Sequence, residues 1–178
     1  MNTTHLGPRC LSAEPGTKQE AWEQLSRFCW SMSPHPQGKL IVFVHGFGGD
    51  AITTWEQFIS SWPAEYAGYD LALFGYPSYK YNVDENSVSL KKFISLLANS
   101  PANTINKTVE HLLEYMPTLE RPSDFVFSEI VFIAHSLGAV ICRMAFKREP
   151  YSSWVRKSKL MLFAQLTKVH TLLCFSTP

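Results

Sequence analysis

Residues Glu129–Lys147 read EIVFIAHSLGAVICRMAFK, and the hydrophobic periodicity changes once within them. Ile130–Ala134 is a short apolar run rich in β-branched residues, which is typical of a strand buried on both faces. From Leu137 onward the apolar residues recur at helical spacing, which predicts a helix with one buried face. Ser136 lies in the short turn between the two segments. This order of strand, serine and helix predicts a nucleophile elbow.

Small residues flank Ser136 two positions away on each side, at Ala134 and Gly138. A sharp turn brings its two arms close together, so only small side chains fit there. The usual pattern is G-x-S-x-G, and here an alanine replaces the first glycine. A serine in such a turn can also cap the following helix through its hydroxyl group, so a purely structural role is the alternative.

A second motif follows the first apolar run of the chain. Leu40–Val44 predicts a buried strand, and it leads into His45–Asp50, which reads HGFGGD. Three glycines in four positions let the backbone approach a ligand or take a positive φ. If the strands before the two motifs are neighbours in a parallel sheet, this loop lies beside Ser136 at the carboxyl ends of the strands, where ligands gather. A flexible connection is the alternative interpretation.

The remaining chain alternates strand patterns with helix patterns. Strands are predicted at Asp70–Phe74 and Lys168–Phe175, and helices at Lys18–Ser31, Asn86–Ala98 and Trp154–Leu166. Such alternation predicts an α/β fold with a mostly parallel sheet and helices on both faces.

Length and composition set further limits. The chain has 178 residues, which is the size of one domain. We divide it into an N-terminal extension, residues 1–38, and the N-terminal and central part of the α/β domain, residues 39–178. The net charge of +1 gives no electrostatic reason to expect nucleic acid as a partner. No apolar stretch is long enough to predict a transmembrane segment.

The cysteines are scattered and form no CxxC pair, at Cys10, Cys29, Cys142 and Cys174. This spacing predicts thiols without disulfides or metal, in a reducing compartment. We therefore expect a cytoplasmic location and no metal site.

Together, the two motifs resemble those of the α/β-hydrolase superfamily. With Thr54-Trp55, Phe74–Ser78 and Phe175–Pro178, they resemble more closely the lipase-like serine esterases. Those proteins include relatives of the enzyme that deacylates glycosylphosphatidylinositol anchors. The resemblance covers Lys39–Pro178 and implies an α/β-hydrolase fold that ends just after the strand following the nucleophile helix.

The resemblance implies a serine hydrolase that acts on carboxylic esters, including lipid esters, and needs no cofactor. Ser136 is the implied nucleophile, and the backbone N–H groups of Phe47 and Leu137 are the implied oxyanion donors. The residues that shape the site are His45, Gly46, Gly48, Gly49, His135 and Gly138.

The catalytic acid and histidine of the family are not matched in this sequence, and we expect them beyond Pro178. His45 is expected to pack or hydrogen-bond within its loop, and Asp50 to cap the next helix. His170, at the start of the last predicted strand, is expected at the edge of the sheet opposite Ser136. The alternative function is a non-catalytic or truncated hydrolase-like binding or scaffold module. An exposed apolar edge at Val169–Phe175 predicts self-association.

Overall fold

The computed structural model describes residues 9–10, 28–61, 63–114, 117–166 and 169–175. Within these residues, one seven-stranded sheet organises the chain. Its strands are β1 (Arg9–Cys10), β2 (Phe28–Ser31), β3 (Lys39–Val44), β4 (Tyr69–Phe74), β5 (Glu129–His135), β6 (Ser158–Leu166) and β7 (Val169–Phe175).

The helices of the described residues connect these strands. They are α1 (Glu56–Ser60), α2 (Val83–Asn99), α3 (Pro101–Leu113), α4 (Leu137–Arg148) and α5 (Ser153–Arg156), with single 3-10 turns at Ala64–Tyr66 and Pro117–Leu119. The longest, α2, begins with a capping box. The Asn82 side chain accepts a 2.9 Å hydrogen bond from the Glu85 N–H, and the Glu85 carboxylate accepts one of 3.0 Å from the Asn82 N–H. This exchange satisfies two donors at the start of the helix.

The sheet is parallel at its centre and antiparallel at both sides. The strand order is β1-β2-β4-β3-β5-β6-β7, and the pairs β4–β3, β3–β5 and β5–β6 are parallel. β1, β2 and β7 are antiparallel to their neighbours. Val44 is paired with Phe74 on one side and with Ala134 on the other. The loops that follow β3, β4 and β5 therefore emerge side by side at one edge of the sheet.

Both faces of the sheet are covered. Along β3, Leu40, Val42 and Val44 pack in one apolar cluster with buried residues of α2 and α4, whereas Ile41 and Phe43 pack in a second cluster with Trp55. This alternation follows from the two-residue period of a strand. The predicted α/β fold is confirmed, and the three apolar runs predicted as buried strands form β3, β4 and β5.

The helix predicted over Lys18–Ser31 is wrong at its end. Phe28–Ser31 forms β2, which is antiparallel to β4. Cys29 and Trp30 lie on opposite faces of the sheet, and both are buried. A four-residue strand contains too few residues to establish a two-residue period. Residues 18–27 lie outside the described residues, and the division at residue 38 stays a prediction.

The helix predicted over Trp154–Leu166 is also wrong beyond its first turn, since only Ser153–Arg156 is helical. Ser158–Leu166 forms β6, parallel to β5. Leu160 and Leu162 are buried in the first cluster, while Met161 packs against the second. The strand after the nucleophile helix is therefore β6, and the predicted Lys168–Phe175 strand is the antiparallel β7.

Two further predictions concern the edge of the sheet at β7 and the thiol of Cys142. β7 forms one edge of the described sheet, and self-association through it stays a prediction. Cys142 is a fully buried thiol on α4, and burial raises its pKa far above the ordinary value. A thiol in such surroundings is unreactive. The cytoplasmic location stays a prediction.

Candidate active site

Ser136 has an unusual backbone conformation, with φ 50° and ψ −120°, between β5 and α4. Within the described residues it is the only non-glycine residue with a positive φ. Such a conformation costs an L-residue about 1–3 kcal/mol and persists only where the surroundings fix it. The strain is therefore concentrated on the serine that the sequence motif singles out.

Gly138 helps to fix the backbone conformation of Ser136. A Cβ atom at this position would lie 2.5 Å from the carbonyl oxygen of Val44 and would also collide with that of His45. No carbon atom fits at that distance from two backbone oxygens. The first turn of α4 therefore lies directly on the end of β3, which only glycine allows.

Gly46 makes the corresponding contact from the loop side. Its hypothetical Cβ would lie 2.9 Å from Nδ1 of His135 and 3.0 Å from Cβ of Ser136. The loop that follows β3 is thus in contact with the turn that contains Ser136. The juxtaposition that the sequence predicted for the two motifs is present in the structure.

The hydroxyl group of Ser136 does not cap the helix. The residue is exposed, and its side chain makes no cap hydrogen bond, although its carbonyl accepts a 2.9 Å hydrogen bond from the Ala139 N–H. Among the described residues, no side chain is hydrogen-bonded to this hydroxyl. The structural alternative for Ser136, helix capping, is therefore not what the side chain does.

The glycine loop contains a tight turn. The Gly49 N–H donates to the Gly46 carbonyl over 3.2 Å, and Gly48 has a φ of 71°. Ser136 is the only described non-glycine residue with a positive φ, so the φ of Phe47 is negative. A negative φ followed by a positive φ defines a type II turn.

Two backbone N–H groups belong to the residues that directly follow Gly46 and Ser136. The Phe47 N–H has no hydrogen-bond acceptor among the described residues, and Leu137 is the first residue of α4. The first N–H groups of a helix have no acceptor within it, and the helix dipole favours negative charge there. Phe47 and Leu137 thus carry donors on the two segments that meet at Ser136.

The buried His45 side chain stabilises this loop through hydrogen bonds. The residue is 1% exposed, its Nδ1 lies 2.8 Å from the Gly46 carbonyl oxygen, and its Nε2 accepts a 3.2 Å hydrogen bond from the Tyr76 N–H. An imidazole that accepts at Nε2 carries its proton on Nδ1 and is neutral. Burial, the largest cause, lowers the pKa of His45 and favours this neutral form. Both ring nitrogens are therefore occupied.

The loop after β4 contains two residues to which sequence reasoning gave no role, Tyr76 and Ser78. The Tyr76 hydroxyl donates to the His45 carbonyl over 2.7 Å, and its ring stacks on the imidazole at 4.1 Å. Ser78 Oγ accepts a 3.0 Å hydrogen bond from the Gly48 N–H. The signal that would have identified them is their position. They follow a strand adjacent to β3 and end at the same edge of the sheet.

The expectation that Asp50 caps the next helix is wrong, because α1 begins at Glu56 and its N-cap residue, Trp55, makes no side-chain cap hydrogen bond. The Asp50 carboxylate accepts hydrogen bonds from the N–H groups of Ile52 and Thr53 and from the Thr53 hydroxyl. The hydrogen bond from that hydroxyl is the largest cause of the lowered pKa of Asp50. Its oxygens are thus used within its own turn.

The expectation for His170 is wrong in one respect. β7 is antiparallel to β6, and His170 is paired with Gln165, beyond the end of β5. Its backbone therefore lies at the same edge of the sheet as Ser136, because a strand that reverses direction begins where its neighbour ends. The described histidine side chains are those of His35, His45 and His135, and none of these three is hydrogen-bonded to Ser136.

Two aromatic rings stand at the open side of the loop. Phe47 is 62% exposed and Tyr79 is 78% exposed, and their rings pack edge to face with centroids 4.6 Å apart. This pair, the aromatic rim, provides apolar surface next to the Phe47 N–H.

In the described part of the chain, no cluster of three or more His, Cys, Asp or Glu residues is arranged to hold a metal ion. None of the described helices combines the length and the apolar character that crossing a membrane requires.

Comparison with known proteins adds a family and two structures. A family model described as "Putative serine esterase (DUF676)" matches residues 35–178. The crystal structure of the mature form of the lipase BlEst2 from Bacillus licheniformis is similar, with 16% identity and a TM-score of 0.43 over 75% of this chain. The propeptide form of that lipase matches with the same values. The chain spans 45% of the mature form and 24% of the propeptide form. No curated protein matches.

Proposed function

The chain belongs to the DUF676 family of serine esterases, and from this membership we propose that it is a hydrolase that cleaves carboxylic esters through an acyl-enzyme on Ser136. The observation that carries the proposal is the strained, exposed Ser136 with the N–H groups of Phe47 and Leu137 beside it. The strained turn is then a nucleophile elbow, which holds the hydroxyl away from the backbone and open to substrate.

The reaction proceeds in two halves. Ser136 Oγ attacks the acyl carbonyl carbon while a histidine accepts its proton, and a tetrahedral intermediate forms. The ester C–O bond then breaks, and the alcohol leaves with the proton returned by the histidine. Water, deprotonated by the same histidine, attacks the acyl-enzyme and releases the carboxylic acid and free Ser136. We propose that this histidine is not His45, since both nitrogens of His45 are already bonded.

The donors at Phe47 and Leu137 act on the tetrahedral intermediate. Its negative oxygen develops next to two fixed N–H groups, so little reorganisation is needed when the charge appears. Loss of one such donor typically costs about 2.7–4 kcal/mol of transition-state stabilisation. Gly46 and Gly138 contribute by allowing the loop, the turn and the strand end to approach within contact distance.

The finer proposal concerns the substrate. The aromatic rim, Phe47 and Tyr79, exposes most of two rings at the position next to the Phe47 donor. The Phe47 ring belongs to the same residue as the proposed donor, so the rim lies close to a carbonyl oxygen bound to that N–H. The rim therefore supports an ester with an apolar acyl or alcohol group, such as a lipid ester. The predicted relation to enzymes that act on glycosylphosphatidylinositol anchors stays a prediction.

Covalent labelling with a fluorophosphonate probe tests the proposal. The probe phosphonylates an activated serine, so the wild-type chain should be labelled and Ser136→Ala should not. Ser61→Ala is the matched control, because Ser61 is also exposed and its hydroxyl donates only to carbonyls of the preceding helical turn, those of Gln57 and Phe58. Labelling that survives in Ser136→Ala would exclude Ser136 as the nucleophile.

A second candidate function is a hydrolase-like binding or scaffold module without turnover. It is motivated by the described side chains of His35, His45 and His135, none of which is hydrogen-bonded to Ser136. A folded wild-type chain that is not labelled, even at high probe concentration, would support this alternative and count against the esterase.

A further inference from the structure

We infer that Ser78 is a positioning residue for the oxyanion donor at Phe47, an inference that rests on the proposed function. Ser78 lies in the loop after β4, thirty residues from the glycine loop along the chain, and is 9% exposed. Its hydroxyl oxygen accepts the Gly48 N–H over 3.0 Å. Nothing in the sequence motifs of the nucleophile or the glycine loop assigns this contact.

The accepted N–H belongs to the central peptide of the type II turn. That turn runs from Gly46 to Gly49, so its central peptide joins Phe47 to Gly48. Type I and type II turns differ mainly by a rotation of about 180° of this peptide. Gly48 tolerates both turn types, since glycine takes either sign of φ without strain. The turn sequence alone therefore does not fix the orientation of the peptide.

Ser78 binds the central peptide in one of the two orientations, with its N–H directed at Ser78 Oγ. If this peptide rotates, the Gly48 N–H loses its acceptor. The hydrogen bond also ties Gly48 to the loop after β4. It thereby holds in place the turn that carries the Phe47 N–H, which is the proposed donor.

The assignment of donors in the loop is consistent with this role. Three successive N–H groups belong to Phe47, Gly48 and Gly49. The Gly49 group closes the turn on Gly46, and the Gly48 group is bound by Ser78. Phe47 is left to offer its N–H to a substrate oxygen. Ser78 itself contacts the loop and acts through it.

Ser78 is in turn held in place by the residues before it. Tyr76 donates both its N–H and its hydroxyl to His45, at the start of the glycine loop. Only Pro77 separates Tyr76 from Ser78, and its ring restricts the backbone between them. The loop after β4 is therefore hydrogen-bonded to the glycine loop at two residues, His45 and Gly48. These contacts fix the position of the Ser78 hydroxyl, which accepts the Gly48 N–H.

The test compares Ser78→Ala, which removes the hydroxyl, with Ser78→Thr, which keeps it, in the complete chain. The first measurement is the rate of fluorophosphonate labelling of Ser136 as a function of probe concentration. We expect Ser78→Ala to lower the maximal labelling rate by about 10- to 100-fold, the scale of a misplaced or partly lost donor. The probe concentration for half-maximal rate should stay unchanged, and Ser78→Thr should restore most of the rate.

The second measurement does not depend on activity. Hydrogen exchange of the Gly48 amide, followed by NMR, should become faster in Ser78→Ala and stay slow in Ser78→Thr. Unchanged exchange in Ser78→Ala, or wild-type labelling by that variant, would overturn the inference. The proposed function fails separately, by the persistence of labelling in Ser136→Ala.

Discussion

Tyr76 holds His45 at both its ring and its backbone. The Tyr76 N–H donates to Nε2 of the imidazole over 3.2 Å, and the Tyr76 hydroxyl donates to the His45 carbonyl over 2.7 Å. The two rings are stacked with only 7° between their planes. The contact requires the neutral imidazole, because a protonated Nε2 cannot accept. The stability of the folded protein should therefore depend on pH through His45.

We expect the free energy of unfolding to fall on acidification, in part through His45. Burial holds the pKa of His45 below its ordinary value of 6.5, so the unfolded chain binds this proton more readily than the folded chain. The stabilisation is complete above pH 6.5 and is lost as the pH falls through the lower pKa of the folded state. Urea denaturation between pH 7.5 and 5 should show this fall in the free energy of unfolding.

The matched variant is His45→Gln, whose amide keeps one donor and one acceptor but does not titrate in this range. The unfolding free energy of this variant should depend less steeply on pH than that of the wild type. Parallel pH profiles for the two proteins would mean that His45 does not contribute.

The two motifs were readable from the sequence because they are local. β3 and β5 are continuous apolar runs, and the glycines at 46 and 138 mark where backbone meets backbone. The residues that hold the loop were not readable in this way. Tyr76 and Ser78 act on residues 31 and 30 positions away, and only the pairing of β3 with β4 brings them together.

β2 and β6 were missed for related reasons. β2 has four residues, and a sequence of apolar residues at spacings of three and four extends into it from the preceding segment. In β6 the alternation is present, but basic and apolar residues are mixed over Trp154–Leu166, as they are in an amphipathic helix. The register with β5 decides the matter, because each residue of Ile130–His135 has a partner in β6. Such pairing is not visible in either segment alone.

We expect Gly138→Ala to destabilise the protein, although alanine favours a helix by about 1 kcal/mol over glycine. The added Cβ would lie 2.5 Å from the Val44 carbonyl oxygen, and backbone oxygens at the end of β3 have no space to move. Overpacking of this kind typically costs about 1–3 kcal/mol. The displacement also moves Ser136 away from the glycine loop, so fluorophosphonate labelling should slow as well.

Gly68→Ala provides the control for that variant. A Cβ at Gly68 would also lie 2.5 Å from its nearest neighbour, but this neighbour belongs to the side chain of Gln37, which can change rotamer. We expect the free energy of unfolding to change by no more than about 0.5 kcal/mol, as for ordinary surface substitutions. Equal losses in the two variants would show that contact with the strand end is not what makes glycine necessary at position 138.

The buried ion pair between Asp70 and Arg121 gives a third prediction, away from the candidate site. One oxygen of the Asp70 carboxylate is 2.7 Å from Nη2 of Arg121, and both side chains are at most 1% exposed. The guanidinium also donates to the carbonyls of Ser33 and Leu119, so it ties together the start of β4, the 3-10 turn Pro117–Leu119 and the segment after β2. Arg121→Met keeps the length of the side chain but removes its charge and its donors.

We expect Arg121→Met to lower the free energy of unfolding by about 3–5 kcal/mol at pH 7, because it leaves the Asp70 carboxylate buried without its partner. Burial already raises the pKa of Asp70 although the Arg121 guanidinium opposes the shift, and removing the guanidinium raises this pKa further, so the loss should shrink as the pH is lowered toward 4. The double variant Asp70→Asn/Arg121→Met should recover part of the loss at pH 7, since the amide is neutral. Arg148→Met breaks the exposed pair with Asp84 and should cost less than about 1 kcal/mol. The loss in Arg121→Met could instead be independent of pH and persist in the double variant. Such a result would show that packing and the lost carbonyl contacts cause the loss, and that the buried charge does not.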